Sequence, residues 1–533
     1  MNTSGLKLIC FEDDHLLVVN KPAGVNTHAP SPYACEGIYE WLRHRESRWA
    51  ELSILHRLDK ETSGVMVFGK TPQANRSLTQ QFTDHTISKK YRLVTDRAVP
   101  KDEIVVVSSL VRAGEKYVGR PFRTGAERAE TRFQKTGTMS GKTTLVAQPI
   151  TGRTHQIRVH AAENGFPILG DVLYGGTAAQ RLCLHAEELR VKHPVSQEEM
   201  TFRVEADFDA DVGMALREAI IDRRVTNSFR VLNGAADGVS GWYVDRIGEF
   251  LLSQSARPLS KTEQETLQQL MDSFPDTKGA YHKNLNRHVR QTTLGQTSPE
   301  HLLGSTAAER FNLLENGVHY EVSFNEGYSL GLFLDQRDNR RRFLTNRVGA
   351  AFPIFPSLAG AEVLNTFAYT CAFSVCAAKA GARTTSIDLS KKYLEWGKRN
   401  FVLNQLDPVQ HEFIYGDVFD WLHRLAKKGR AFGAVVLDPP TFSQSKQRGT
   451  FRAEKDYGKL VTAALPVLQP KGVLFASSNA ANVEPEDFIR TIESAISTAG
   501  RKILQRHYVP QPLDFRISRE EPAYLKTIWL RVS

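Results

Sequence analysis

Leu437-Asp438-Pro439-Pro440-Thr441-Phe442-Ser443 ends an apolar run, Ala434–Leu437, on an acid and two prolines. Proline has no N–H for a strand ladder, so the run reads as a short strand that stops at Asp438. Working outward, Val363–Asn365, Thr384–Asp388 and Glu412–Tyr415 are three more short strands. Helical patterns lie between them, notably Lys391–Leu403 and Val418–Ala426. That rhythm predicts a parallel, doubly wound sheet. Ligands of such sheets bind beyond the carboxyl ends of the strands. Asp388, Asp417 and Asp438 fall at successive strand ends. One such aspartate alone is more often a cap or turn residue; three in series point to a ligand site.

The chain has 533 residues, too many for one core, so two to four domains are expected. Its balance of 41% hydrophobic and 24% charged residues is that of a globular protein without membrane spans. The net charge of +10 is shared evenly between residues 1–200 and the remainder, which suits a polyanionic partner as well as it suits a plain basic protein. Five scattered cysteines form no CxxC pair or Cys/His cluster, so neither a zinc site nor a disulfide framework is expected. The apolar stretch Ala359–Ala382 is broken by Asn365, Tyr369 and Lys379, which favours a buried strand–helix pair over a membrane span. With no signal-peptide pattern at the start, a cytoplasmic location is expected.

A second chemistry sits far upstream. His56-Arg57-Leu58-Asp59-Lys60-Glu61-Thr62-Ser63-Gly64 places one carboxylate between two cations. Alone, such an aspartate is usually half of a surface ion pair. Here Lys90-Tyr91 follows at the start of a strand, then Thr151-Gly152-Arg153-Thr154-His155-Gln156-Ile157-Arg158-Val159-His160 opens a helix predicted over Thr154–Asn164, and Pro167-Ile168-Leu169-Gly170-Asp171 closes the unit. Strands are expected at His15–Asn20, Val65–Phe68, Ile104–Val107 and Thr143–Ala147.

That ordered set resembles the RluA family of pseudouridine synthases across roughly residues 5–205. The resemblance implies Asp59 as nucleophile and Tyr91 as the aromatic that packs against the target base and assists proton transfer. It also implies Arg158 as the ion-pair partner of Asp59, Ile157 packing beside it, and Arg57 reaching into the RNA to stabilise the flipped state. No cofactor is implied for this reaction.

The downstream sheet resembles class I adenosylmethionine-dependent methyltransferases, and more narrowly the RlmI and RlmK large-subunit rRNA methyltransferases, over roughly residues 311–533. The markers are Gly331-Leu332-Phe333-Leu334-Asp335-Gln336-Arg337, Asn365 to Thr370, Leu394-Glu395-Trp396, Asp438 to Lys446 and Tyr524-Leu525-Lys526. The resemblance implies S-adenosyl-L-methionine as cofactor, held by Asp388 and Asp417 with Asn365 and Pro439 in the same loops. Phe367 and Tyr369 would line its pocket and Gln336-Arg337 would close over it. Cys371 stands where the family usually has glycine; a packed structural cysteine is favoured there over a catalytic thiol. RlmI-like chains carry a cysteine after the fifth strand, whereas this chain reads Gly472-Val473-Leu474-Phe475-Ala476-Ser477-Ser478-Asn479. Asn479 and the string at 438–443 are closer to RlmK, which implies methylation of a guanine ring nitrogen, with Asp438 in the catalytic loop. Pro440 and Phe442 would stack the base and Lys446 would meet a phosphate.

The expected architecture is multidomain α+β and α/β. A mixed-sheet pseudouridine synthase domain spans 1–210, a small central α+β domain resembling that of RlmI spans 215–310, and a Rossmann-like methyltransferase domain spans 311–533. The expected function is bifunctional modification of large-subunit rRNA. A silent methyltransferase site, and a cytosine, tRNA or non-RNA methyl acceptor, stay open, as does the oligomeric state.

Overall fold

The computed structural model describes residues 5–123, 125, 127–285, 298–327, 329–445 and 449–533. Lys446 therefore lies outside the described residues. The chain divides into two compact units, residues 5–30 with 36–222, and 31–35 with 223–533.

The first unit is built on a mixed sheet. Its order is Ile9–Glu12, Leu16–Lys21, Ser63–Gly69, Leu184–Lys192, Ser88–Thr95, Lys142–Pro149, Ala129–Met139, Glu103–Ala113 and Lys116–Arg120. Ser53–Ile54 and Glu199–Arg203 pair onto it from the side. The strands are antiparallel except where Ser63–Gly69 meets Leu184–Lys192, a parallel contact of two residue pairs, His185 with Ser63 and Ala186 with Gly64. Gly64 is required there. Its φ is +122°, and a Cβ would lie 2.3 Å from the Ala186 carbonyl oxygen. The strands run inward-apolar, as Leu16, Val18, Val65, Val67, Leu189 and Val191 share one buried cluster. Fully burying one such side chain contributes roughly 1.5–3 kcal/mol.

The helix expected over Thr154–Asn164 is Gln156–Glu163, with His155 as its left-handed N-cap at φ +55°. Asp211 caps the helix Val212–Ile220 by accepting from Met214 N. That helix belongs to the first unit, with Leu8 N donating to Ala219 O, so this unit runs past the expected limit at 210.

The second unit opens with a five-stranded sheet, Ser228–Asn233, Trp242–Ile247, Phe250–Ser255, Gly279–Asn284 and Glu300–Gly304, and the helix Lys261–Ser273. The sequence predicts it as a domain of its own. Phe250 and Tyr281, however, share one apolar cluster with Phe324, Phe343 and Trp529, so its core is continuous with that of the seven-stranded sheet.

The seven-stranded sheet has the order Glu412–Tyr415, Arg383–Asp388, Glu362–Thr366, Phe432–Leu437, Leu468–Ser478, Lys526–Val532, Ile503–Val509. The first five strands are parallel; Lys526–Val532 is antiparallel to both its neighbours. The four strands expected in this sheet are present, three of them extended by one or two residues. Among the described residues no helix is long and apolar enough to cross a membrane.

Candidate active sites

The loop carrying Asp59 joins Ser53–Ile54 to Ser63–Gly69 and is tied down from beneath. Lys21 is fully buried and donates to the carbonyls of Pro22, Val25 and Lys60 at 2.9, 2.8 and 3.2 Å. Burial pulls its pKa down to about 7. Thr27 Oγ1 accepts from Leu58 N and donates to Leu58 O, and Gly24 N donates to Lys60 O. The loop is thus held through its backbone, which frees the side chains of 57 and 59.

Those side chains face a cavity of about 750 Å³, lined by Asp59, Arg57, Tyr91, Ile157, Arg158 and His155 among others. Residues separated by up to about a hundred positions converge there. Tyr91 enters from the strand Ser88–Thr95; burial, then the charge of Asp59, raises its pKa, so the phenol keeps its proton at neutral pH. Arg57 Nη2 donates to Thr154 Oγ1 at 2.6 Å.

The geometry of Arg158 departs from the simple pair expected. Its Nε and Nη2 donate to the two carboxylate oxygens of buried Asp171, at 2.8 and 2.7 Å, while Nη1 reaches Asp59 Oδ2 at 3.6 Å. The tight bidentate partner is Asp171, and Asp59 takes the remaining edge of the guanidinium. Tyr174 lies beneath, its ring centroid 5.0 Å from the Arg158 Cζ.

Three residues on this wall were not singled out from the sequence. His155 Nε2 lies 3.8 Å from Asp59 Oδ2, and its Nδ1 bonds Tyr174 OH at 2.8 Å. Burial lowers the imidazole pKa against the pull of Asp59. Buried Gln156 locks the loop before the helix, accepting from Thr151 Oγ1 and Arg153 N and donating to Glu130 O and Thr131 Oγ1. Lys89 lines the cavity two residues before Tyr91. The signal was in plain view: His155 and Gln156 stand inside the quoted string 151–160, and Lys89 directly precedes Lys90-Tyr91.

In the second unit the turn after Glu362–Thr366 is compact and glycine-free. Phe367, Tyr369 and Cys371 take φ of +52°, +49° and +61°. Such residues cost of order 1–3 kcal/mol each and cluster at ligand sites. Tyr369 N donates to Asp388 Oδ2 and Ser390 N to Oδ1, both at 2.8 Å. Burial raises the Asp388 pKa. The backbone of Leu389 bonds the same carboxylate, so three backbone donors hold Asp388 in place. Asp417 caps the helix Val418–Lys427, accepting from Phe419 N and Asp420 N. A cavity of about 270 Å³ opens beside it, lined by Phe367, Leu389, Asp417, Val418 and Phe419 among others. Its walls set the rings of Phe367, Phe419 and Phe451 beside two acids, Asp417 and Asp456, and Lys459, while Asp388 ends the neighbouring strand.

Cys371 does not enter that cavity. Its side chain is fully buried against the helix Lys391–Leu403, where a Cβ on Gly397 would lie 2.5 Å from Sγ. Burial pushes the thiol up to about 12. That burial favours the neutral thiol over a reactive thiolate.

Asp438 ends the strand Phe432–Leu437 and accepts from Gln336 Nε2 at 3.2 Å. Gln336 also donates to Ser477 Oγ at 2.8 Å. Burial, partly offset by Ser477, puts the Asp438 pKa at about 6. Tyr457, unnoticed in the sequence, shares its one hydroxyl proton between Leu437 O and Ser477 O, each 2.9 Å away, and accepts from Ser477 N, which fixes the two strand ends together. Pro439 is buried, Pro440 exposed, and Phe442 half-buried on the hairpin Phe442–Ser445/Gly449–Arg452. Asn479 is exposed just past the end of Leu468–Ser478.

Two expectations are corrected here. Arg337 does not close over a cofactor: it is buried and donates to both oxygens of Asp514 at 2.8 and 2.5 Å. Asn365 is buried with its amide donating to Ser374 Oγ at 2.9 Å, so it braces the strand–helix turn from within.

Residues 248–518, half of the chain, match the family model of S-adenosylmethionine-dependent methyltransferases. The chain belongs to that family. Residues 15–163 match the model of RNA pseudouridylate synthases, so this methyltransferase carries a second catalytic family at its amino end. A ribosomal RNA large subunit methyltransferase of Deinococcus radiodurans is 32% identical over 58% of this chain and 73% of its own length. Ribosomal RNA large subunit methyltransferase K of Neisseria meningitidis is 34% identical over 38% of this chain and 54% of its own. Among solved structures, SMU.776, described as a methyltransferase and complexed with SAH, superposes with a TM-score of 0.52 at 28% identity, covering 64% of this chain and 84% of that one. The methyltransferase match begins inside the five-stranded sheet, in keeping with the core it shares with the seven-stranded one.

Proposed function

We propose that this methyltransferase modifies large-subunit ribosomal RNA twice, isomerising a uridine at Asp59 and methylating a guanine ring nitrogen beside Asp438, in the cytoplasm. The observation that carries the reading is the pair of separate cavities, one around Asp59 and one beside Asp417, each with its own acid and aromatic groups. The names of the relatives supply the RNA class.

At the first site Asp59 acts as the nucleophile that detaches uracil from its sugar; the base turns and rejoins through a ring carbon. Arg158, oriented by Asp171, faces Asp59 across 3.6 Å and holds a positive charge beside the attacking oxygen. The base must leave its stack, at roughly a few kcal/mol. Tyr91 and Ile157 receive it, and Arg57 fills the gap left in the RNA.

At the second site Asp388 would hold ribose hydroxyls and Asp417 with Phe367 the adenine, with Tyr369 and Pro439 shaping the same loops. S-adenosyl-L-methionine bound there supplies an electrophilic methyl group. Gln336 and Ser477 orient Asp438, while Pro440, Phe442 and Asn479 meet the base and Lys446 a phosphate. A ring nitrogen already has a lone pair, so positioning suffices and no thiolate is needed. The buried state of Cys371 supports this over a thiolate route to carbon 5 of cytosine.

The test is to incubate the full chain with radiolabelled cofactor and large-subunit rRNA from cells lacking the gene, then digest to nucleosides. Label in a ring-methylated guanosine, with a new pseudouridine in the same RNA, is expected. Label in 5-methylcytidine would overturn the nitrogen assignment.

A further inference from the structure

We propose that Lys89 binds a backbone phosphate of the uridine drawn into the synthase cavity. The inference rests on the reading of that cavity as the pseudouridylate synthase site. Strand alternation sends successive side chains of Ser88–Thr95 to opposite faces. Lys89 and Tyr91 both line the cavity. Lys90 turns away and pairs with Glu188 at 2.9 Å, and Arg92 pairs with Glu187 through two bonds of 2.9 Å.

Lys89 is half-buried, and no carboxylate or carbonyl among the described residues accepts from its ammonium. Its Nζ lies 6.0 Å from the Phe82 ring centroid, and 3.6 Å from where a Cβ on Gly152 would stand. The two carboxylates that line the cavity are engaged elsewhere. Asp59 faces Arg158, and Glu40 accepts from Ala29 N and Gly37 N. Burial pulls the Lys89 pKa down, while the neighbouring His56 is held near 3 and carries no charge at neutral pH. A partly desolvated cation without an anion is costly, and it is tolerated where a ligand brings the anion.

A phosphate fits that need better than the base does. Uracil offers neutral carbonyls, which a neutral donor would serve; a compact point charge suits phosphate. Lys89 and Tyr91 are about 7 Å apart along the strand. A base stacked at Tyr91 carries its own backbone at a comparable reach.

The test uses the full chain with Lys89→Met and Lys89→Arg, assayed for pseudouridine formation in large-subunit rRNA from cells lacking the gene, over a series of KCl concentrations. Circular dichroism and a thermal unfolding transition like that of the wild type show that the same preparations are folded. Lys89→Met is expected to raise KM about tenfold or more with kcat little changed. It should also flatten the plot of log affinity against log salt by about one unit. Lys89→Arg should recover most of the affinity. Unchanged KM and salt slope would overturn the proposal, and so would a fall in kcat alone, which would put Lys89 on the reacting base. Absence of pseudouridine from the wild-type reaction would instead sink the reading of the site.

Discussion

Asp171 accepts both inner N–H groups of Arg158, at 2.8 and 2.7 Å, and thereby aims the outer Nη1 at Asp59, 3.6 Å away. The guanidinium is a fixed bridge between a buried acid and the acid exposed to the cavity. Asp171→Asn keeps the shape but removes the charge and one acceptor. The expected outcome is a fall in pseudouridine formation of about tenfold to a hundredfold, from loss of a charged hydrogen bond worth about 1.5–3 kcal/mol, with methyl transfer unchanged. Single-turnover rates of both reactions on one preparation check it.

Cys371 and Gly397 form a second paired feature. A Cβ on Gly397 would stand 2.5 Å from the cysteine Sγ and 2.9 Å from its Cβ. Gly397→Ala should cost about 1–3 kcal/mol by overpacking. Cys371→Gly removes the clashing atoms and suits the left-handed φ of +61°. The double variant should therefore recover stability lost by Gly397→Ala, a coupling that denaturant unfolding of the four chains measures. Additive losses would contradict the packing account.

The Asp438 carboxyl titrates near 6 in the folded chain against an ordinary value of 3.8. A raised acid is stabilising while protonated, so its contribution is complete below about pH 4 and is lost as pH rises through 6. Asp438→Asn removes that loss. The stability of the variant relative to wild type should increase between pH 4 and 7, by on the order of 2–3 kcal/mol. Urea unfolding across that range checks the sign; a flat difference would place Asp438 in contact with water.

The strand-end aspartates were legible because a short apolar run that stops on an acid leaves few alternatives, and Asp388, Asp417 and Asp438 do end or follow the expected strands. What the sequence hides is which polar groups are spent on one another. Arg337 sits beside Gln336, yet one is consumed by Asp514, 177 residues away, while the other faces Asp438. Lys89 and Lys90 differ only in strand phase, and Lys90 is the one that pairs with Glu188. The docking of the helix Val212–Ile220 through Leu8 N is set by tertiary packing, which the residues around its capping Asp211 do not reveal. The room made for Cys371 is hidden in the sequence because its accommodating partner, Gly397, lies 26 residues on, on the helix Lys391–Leu403.

Whether two chemistries work at separate sites in one chain is tested most directly in cells carrying Asp59→Asn or Asp438→Ala. The measurement is mass-spectrometric mapping of modified nucleosides in their rRNA. Asp59→Asn should erase one pseudouridine and leave every methyl mark, and Asp438→Ala should erase one methylated guanosine and leave every pseudouridine. Loss of both marks from either substitution, or of neither from both, would contradict the account.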